Sequence, residues 1–295
     1  MIKFKIKDMK EKVVVVTGSN SGIGKQTALE LGKKGFYVVL ACRSEAKAQP
    51  VLDEIKANGG KGEIRLIDLS SMASTRAFAE ALLKDFIRLD VVFNNAGILR
   101  SELSMTKDGF ESQFQTNYLD HFLLTLLLLP LIIKSKGRVL IVSSLAHAWY
   151  PMNLEDINYQ KEFNPRMGYG RSKLANLIFA KELTKRLKDY PDFSFNAIDP
   201  GVVATNICYN RENGKGKFLS TISKPFLTPV RKGAATSIYL ASTSDNIGSG
   251  NLYKHCKIRP ISEYAENEKT NQELFDLSCK LVGLDFADIL TNLRQ

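Results

Sequence analysis

Tyr169 and Lys173 lie four residues apart in the run Tyr169-Gly170-Arg171-Ser172-Lys173. On a helix that spacing puts both side chains on one face, so an ammonium can sit beside a phenol. A free tyrosine ionises near pH ~10 and is a poor acid-base catalyst at neutrality. A fixed positive charge beside it favours the phenolate. Bringing the phenol down to ~7–8 takes roughly 3–4 kcal/mol of differential interaction. Tyr-x-x-x-Lys is also a common accident of sequence, in which the tyrosine packs and the lysine is solvated. The pair therefore takes its meaning from what surrounds it.

What surrounds it is an alternation of strands and helices. Val13-Val14-Val15-Val16, within a strand predicted over Lys12–Thr17, has the unbroken β-branched character of a strand buried on both faces of a parallel sheet. The pattern predicts a helix over Ile23–Lys34, a strand at Tyr37–Leu40, a helix over Glu45–Ala57 and a strand at Glu63–Ile67. A helix over Ser71–Ile87, a strand at Val91–Phe93 and a long helix over Gly109–Ile133 follow. Beyond them come a strand at Arg138–Val142, a helix over Ser172–Lys188, a strand at Ser194–Ile198, a helix near Lys232–Ala241 and a last strand near Gly250–Tyr253. Such alternation implies βαβ units and one α/β domain, a doubly wound parallel sheet of Rossmann type flanked by helices. Ligands of such sheets sit at the carboxyl ends of the strands near the topological switch point.

The motifs fall at those strand ends. Thr17-Gly18-Ser19-Asn20-Ser21-Gly22-Ile23-Gly24 joins the first strand to the first helix. Its small residues let the backbone turn sharply toward a pyrophosphate, and the helix N-terminus offers amides and a positive dipole. The spacing Gly-x-x-x-Gly-x-Gly differs from Gly-x-Gly-x-x-Gly, and Lys25-Gln26 replaces the ending of a P-loop. About 20 residues further on, an NAD enzyme would present an acid to the ribose hydroxyls. This chain has Ala41-Cys42-Arg43-Ser44 instead, so Arg43 is available for a 2′-phosphate and NADP(H) is favoured over NAD. The bland alternative is a solvated loop arginine. Asp68-Leu69 ends the third strand within reach of an adenine edge, and Asn94-Asn95-Ala96-Gly97 ends the fourth. Asparagines also stabilise turns, so neither motif is informative alone.

Composition narrows the remaining classes. The chain has 295 residues, 44% hydrophobic and 24% charged, with no linker, low-complexity tract or internal repeat to divide it. Cys42, Cys208, Cys256 and Cys279 have no Cys-x-x-Cys spacing, which suits reduced thiols in the cytoplasm. His121, His147 and His255 form no ligand pattern, so no metal is expected and each reads as structural or superficial. The net charge of +10 comes without a nucleic-acid motif and reads as a lysine-rich solvated surface. Met1-Ile2-Lys3-Phe4-Lys5-Ile6-Lys7 is no signal peptide; an edge strand and peripheral contact with a membrane surface both fit it. The apolar stretch Phe122–Ile133 contains Pro130 and is too short to span a bilayer, so a buried helix is expected.

Taken in order, Thr17-Gly18-x-x-x-Gly22-Ile23-Gly24, Asp68, Asn94-Asn95-Ala96-Gly97, Asn117, Ser144, Tyr169/Lys173 and Pro200-Gly201 resemble the short-chain dehydrogenase/reductase family over nearly the whole chain. The resemblance implies a catalytic tetrad of Asn117, Ser144, Tyr169 and Lys173. Ser144 would donate a hydrogen bond to the substrate oxygen, and its choice over Ser143 rests on the family pattern. Tyr169 would transfer the proton, Lys173 would tune it and hold the nicotinamide ribose, and Asn117 would fix Lys173 through a water. Pro200-Gly201-Val202-Val203-Ala204-Thr205 would line the nicotinamide side, with Val203 and Thr205 toward the cofactor.

Ala41-Cys42-Arg43-Ser44, Tyr169-x-x-Ser172-Lys173-Leu174-Ala175-Asn176 and the tail Leu274-Phe275-Asp276-Leu277-Ser278-Cys279 are similar to the retinol dehydrogenase-like branch, which includes the oxidoreductase part of WW-domain oxidoreductases. The long segment between Ser144 and Tyr169, with Asp156-Ile157-Asn158, is similar too and would border the substrate pocket. The implied organisation is a nucleotide-binding half at 11–100, a catalytic half at 101–260, a substrate loop at 206–229 and a C-terminal tail at 261–295. The implied activity is NADP(H)-dependent interconversion of a carbonyl and its alcohol, retinoid or otherwise lipophilic. The hydrophobic anchor of many retinol dehydrogenases and the WW module are absent from this sequence, and the substrate loop is rather polar, so a soluble aldehyde or ketone reductase fits equally well. A cofactor-binding regulator or scaffold without catalysis is the alternative of a different class, although such proteins often lose the Tyr or Lys. Leu123–Leu129 suits a homodimer interface of four helices or burial within one subunit.

Overall fold

The computed structural model describes residues 10–203 and 228–294. Its sheet has eight strands: β1 Val13–Thr17, β2 Tyr37–Cys42, β3 Lys61–Leu66, β4 Val91–Asn94, β5 Arg138–Val142, β6 Ser194–Ile198, β7 Leu252–Lys254 and β8 Lys257–Arg259. They lie in the order β3-β2-β1-β4-β5-β6-β7-β8. All pairings are parallel except the β7–β8 hairpin at the edge. The order reverses between β1 and β4, and this is the switch point at which doubly wound sheets bind ligands.

Helices α1 Gly22–Lys33, α2 Glu45–Ala57 and α7 Val230–Ser242 accompany the sheet, as do α3 Met72–Asp85, α5 Asp120–Lys134 and α6 Pro165–Arg186. Successive residues of β1 divide between two cores, as a strand's alternation requires. Val14 and Val16 join Leu29, Leu31, Val51 and Leu240 from α1, α2 and α7, whereas Val13 and Val15 join Phe78, Leu82, Phe122 and Leu177 from α3, α5 and α6.

The long predicted helix over Gly109–Ile133 is three pieces. A short helix α4, Ser112–Phe114, leads into a π-turn at Gln115–Leu119, and α5 continues from it. The helical run Ser112–Lys134 has the length and apolarity of a membrane span, yet 78% of its apolar window is buried inside the fold. Burial within one subunit accounts for its leucines. Leu123, Leu124, Leu126, Leu128 and Leu129 are all inside, partly beneath C-terminal helices α8 Glu263–Glu266, α9 Glu268–Val282 and α10 Phe286–Leu293. Phe275 of α9 packs edge-on to Phe122 at 5.2 Å between centroids, and the Arg186 guanidinium stacks 4.1 Å from the Phe275 centroid. Tyr118 and Ser278 share a buried hydroxyl hydrogen bond of 2.7 Å.

Helix α6 starts at Pro165, not at Ser172 as the sequence pattern suggests. Asn164 caps it by accepting from the Arg166 and Met167 amides, and Pro165 supplies a first-turn φ that needs no N–H partner. The earlier start places Tyr169 inside the same helix as Lys173.

Candidate active site

The glycine-rich loop is shaped by backbone geometry that side chains would block. Gly18 and Gly22 adopt positive φ of 64° and 56°, the left-handed region that glycine enters freely. A Cβ at Gly24 would lie 2.5 Å from both Asn95 Nδ2 and the Gly18 carbonyl oxygen, so the helix can approach the loop only as glycine. The Gly18 amide donates to the Ala41 carbonyl at 2.8 Å, tying the loop to the end of β2. Asn20, Ser21 and Ile23 are half-buried along its rim.

This cradle fits a dinucleotide. Ser21 leads into α1 without capping it through its side chain, and Ser19 is fully buried with its hydroxyl unpartnered among the described residues. The N-terminal amides of α1 and the Ser19 hydroxyl are therefore available to an anionic pyrophosphate. Arg43 is exposed where β2 ends. Past β3, the Asp68 carboxylate accepts from the amide and hydroxyl of Ser70, while Leu69 is buried. The loops carrying these residues all open on the switch-point side.

Thr17 joins this loop to the end of β4. Its hydroxyl oxygen accepts from the Asn95 and Ala96 amides at 2.8 and 2.9 Å, and its carbonyl accepts from Asn95 Nδ2 at 2.7 Å. His121 Nε2 lies 2.9 Å from the same hydroxyl, and His121 Nδ1 lies 3.1 Å from the Asn117 carbonyl. A carbonyl only accepts, so the network assigns the proton to Nδ1 and makes Nε2 the acceptor for Thr17. Burial lowers the His121 pKa to about 4, which keeps the ring neutral.

Asn117 sits in the π-turn, where the widened backbone offsets it from a regular helical position. Its Oδ1 accepts from the Ile98 amide at 2.7 Å, and its Nδ2 donates to the Ile98 carbonyl and to Ser172 Oγ, both at 3.0 Å. Ser172 in turn donates to the Tyr169 carbonyl at 2.7 Å. The side chain thus fastens the strand-end loop to α6, and among the described residues its bonds reach Tyr169 and Lys173 only through that helix. A Cβ at Gly97 would stand 3.2 Å from Asn117 Oδ1 and 3.6 Å from Lys173 Nζ, so the three positions converge.

Lys173 is 1% exposed, and its ammonium lies 5.5 Å from the centroid of the Tyr169 ring. Nζ donates to the Val142 carbonyl at 2.9 Å, and Asn176 Nδ2 donates to the same oxygen. Burial lowers the Lys173 pKa to about 7. Tyr169 itself is half-buried on the open side of the helix.

Ser143 and Ser144 are separated by their surroundings. Ser143 is buried and its hydroxyl donates to the Lys173 carbonyl at 2.8 Å. Ser144 is half-buried, accepts from the Ala146 amide at 3.2 Å and caps a short 3₁₀ turn at Leu145–Ala148. Among the described residues its O–H has no acceptor. That turn rests on α6 beside Tyr169: a Cβ at Gly170 would be 3.0 Å from the Ala146 carbonyl oxygen. After β6, Gly201 takes a φ of 76° beyond Pro200, and its amide donates to Asp199 at 2.9 Å. Val203 is buried and pairs with Thr228. Thr205, and the substrate loop through 227, lie outside the described residues.

His121 and His147, which the sequence pattern gives as structural or superficial, are both buried and hydrogen-bonded beside the site. His121 follows Asn117 by one helical turn, and His147 follows Ser144 by three residues. Those spacings were the available signal.

The sequence profile of the family described as short chain dehydrogenase matches residues 12–215. Retinol dehydrogenase 12 of Mus musculus is 40% identical over 279 residues, spanning 93% of this chain and 87% of its own. Among solved structures, an uncharacterized protein from Mycobacterium paratuberculosis superposes with a TM-score of 0.75 at 33% identity, over 96% of this chain and 97% of that one. An alcohol dehydrogenase from the archaeon Thermococcus sibiricus, complexed with 5-hydroxy-NADP, shares the fold at a TM-score of 0.64 and 19% identity, over 85% of this chain and 100% of that one. Sequence and fold lead to one conclusion: the chain belongs to the short chain dehydrogenase family, in its retinol dehydrogenase-like branch, whose members are NAD(P)-binding oxidoreductases of alcohols and carbonyls.

Proposed function

We propose that the protein interconverts a lipophilic aldehyde or ketone and its alcohol with NADP(H), using Tyr169 as acid and base. The observation that carries this reading is the convergence of Lys173, Asn117 and Gly97 beneath Tyr169, beside the Ser144 turn and opposite the glycine cradle. Residues 11–100 form the nucleotide-binding half, 101–260 the catalytic half and 261–295 the tail.

When bound, the nicotinamide supplies or takes the hydride at the substrate carbon. Ser144 donates its free O–H to the substrate oxygen and so holds that oxygen in reach of Tyr169. Tyr169 gives the oxygen a proton during reduction and removes one during oxidation. The Lys173 ammonium favours the phenolate by direct electrostatics and offers its remaining N–H groups to the ribose. Because burial brings Lys173 to about 7, its own charge is balanced near neutrality and it can pass a proton on. Asn117 holds the backbone on which Lys173 and Tyr169 depend, and a water bridging it to Lys173 would complete a relay.

Arg43 supports NADP(H) over NAD, since it is exposed where the 2′-phosphate would lie and no carboxylate stands in Ala41-Cys42-Arg43-Ser44. The 5-hydroxy-NADP in the archaeal fold relative is consistent with that choice. A lipophilic substrate is supported by Leu145 and Trp149 after β5 and Val202 after β6, exposed by 61%, 48% and 66% at the ligand end of the sheet. The retinol dehydrogenase relative makes a retinoid the first candidate. Free thiols at Cys42, Cys256 and Cys279 suit a cytoplasmic setting, with peripheral membrane contact as a route to such substrates.

The test is Tyr169→Phe, assayed with NADPH against retinal, steroid ketones, quinones and simple aldehydes. Turnover should vanish while NADPH binding, followed by nucleotide fluorescence, stays within about twofold. Substantial residual turnover refutes the role of Tyr169.

A further inference from the structure

We infer that His147 is a positioning residue for Ser144, and that it anchors the serine turn to the C-terminal segment. This rests on the reading of Ser144 as the substrate's hydrogen-bond donor and extends it to what holds Ser144 in place.

His147 is 4% exposed and uses both ring nitrogens. Its Nδ1 lies 2.7 Å from the Ser144 carbonyl, and that carbonyl also accepts from the His147 amide at 3.0 Å. On the other side, the Ser262 amide donates to His147 Nε2 at 3.2 Å. A backbone amide only donates and a carbonyl only accepts, so Nδ1 carries the proton and Nε2 is bare. The neutral ring is thus a one-way link from Ser262 to the Ser144 peptide. Ser262 also donates its hydroxyl to the His147 carbonyl at 3.4 Å, making the junction two-stranded.

The geometry fixes what must be fixed. Ser144 is the last residue before a 3₁₀ turn, and its Oγ caps that turn, so the orientation of its peptide and the place of its hydroxyl are set together. Two hydrogen bonds to its carbonyl hold that peptide plane. Their far anchor lies at Ser262, just before α8 and beyond the 12–215 stretch that the family profile matches. The tail thus contributes, through Ser262, to the orientation of the reacting groups.

His147→Phe keeps an aromatic ring at this position and removes both bonds made by the ring nitrogens. We expect kcat for retinal reduction to fall about 10–100-fold with NADPH affinity unchanged, since a displacement near 1 Å costs that much. In a Ser144→Ala background the same substitution should add less than about threefold, because there is no hydroxyl left to misplace. A merely structural role would cost the same in both backgrounds, and that result overturns the proposal. Full activity in Ser144→Ala alone overturns the reading of Ser144 itself, and the inference with it.

A second variant guards against misfolding. Ser262 has φ −74°, which proline accepts, so Ser262→Pro withdraws the donor to Nε2 while leaving His147 in place. It should lower kcat about 2–10-fold, again only when Ser144 is present. Amide hydrogen exchange across 144–148 should quicken in both variants, a readout that needs no substrate. Unchanged exchange in both refutes the link.

Discussion

Replacing Lys173 by methionine should make the cofactor-free protein more stable as it abolishes activity. Burial lowers the lysine pKa from 10.5 to about 7, and the side chain is 1% exposed, so solvent does little to screen it. A lysine pKa depressed by folding means that the unfolded chain binds more protons between those two values. The cost to stability is full below the folded pKa and disappears as pH rises through the unfolded one. At pH 7 it is on the order of 4 kcal/mol, and near pH 9.5 it is about 1 kcal/mol. Methionine has similar length and helix propensity and no charge to desolvate. It forfeits one hydrogen bond to the Val142 carbonyl, worth about 1 kcal/mol, and Asn176 Nδ2 still satisfies that oxygen. The net gain is about 3 kcal/mol at neutral pH, or roughly 6–12 °C in Tm for a domain of this size, and it nears zero by about pH 9.5. Thermal and urea unfolding of nucleotide-stripped protein at several pH values measures it. A variant less stable than wild type at pH 7, or a difference that does not shrink with pH, would refute the electrostatic account of this lysine.

Arg43→Ala should weaken NADPH selectively, raising its KM about 10–100-fold while NADH changes little. Equal effects on both nucleotides would place Arg43 away from the 2′-phosphate. Phe275→Ala removes a ring that is 1% exposed and touches Phe122, Phe179, Phe286 and Arg186. It should cost about 3–5 kcal/mol by denaturant unfolding, and a loss below about 1 kcal/mol would mean that the tail does not close this core.

Sequence located the buried sheet well because its strands carry the signal themselves. Arg138–Val142 and Ser194–Ile198 emerge with the predicted bounds, as does α2. The start of α6 was obscured by Gly168 and Gly170, poor helix formers kept where a Cβ would meet Gln113 and Ala146. The π-turn left no trace, since one added residue hardly disturbs an apolar pattern as dense as that of Phe122–Ile133. Strand β8 has only three residues, all exposed, and no alternation to read. At the site, the glycine loop and the Tyr169/Lys173 proximity were legible because a left-handed turn demands glycine and a helix brings residues four apart together. The roles of His121 and His147 were not, because a neutral histidine used as a linker is defined by carbonyls and amides that any sequence has.

The π-turn at Gln115–Leu119 has a consequence for how this segment can vary. An α-helix advances about 100° per residue, so accommodating one extra residue in a turn resets the phase of everything beyond it. Gln113 is thereby matched to the loop after β4, where it accepts from the Arg100 amide, and Phe122 and Leu126 to the core, on faces that a uniform helix would misalign. Tightening this turn to a regular helix without removing a residue would rotate Asn117 out of register with the buried leucines, though every side chain were kept. Substitutions here act locally, but a change of length acts on both ends at once. In this stretch the number of residues is as strong a constraint as their identity.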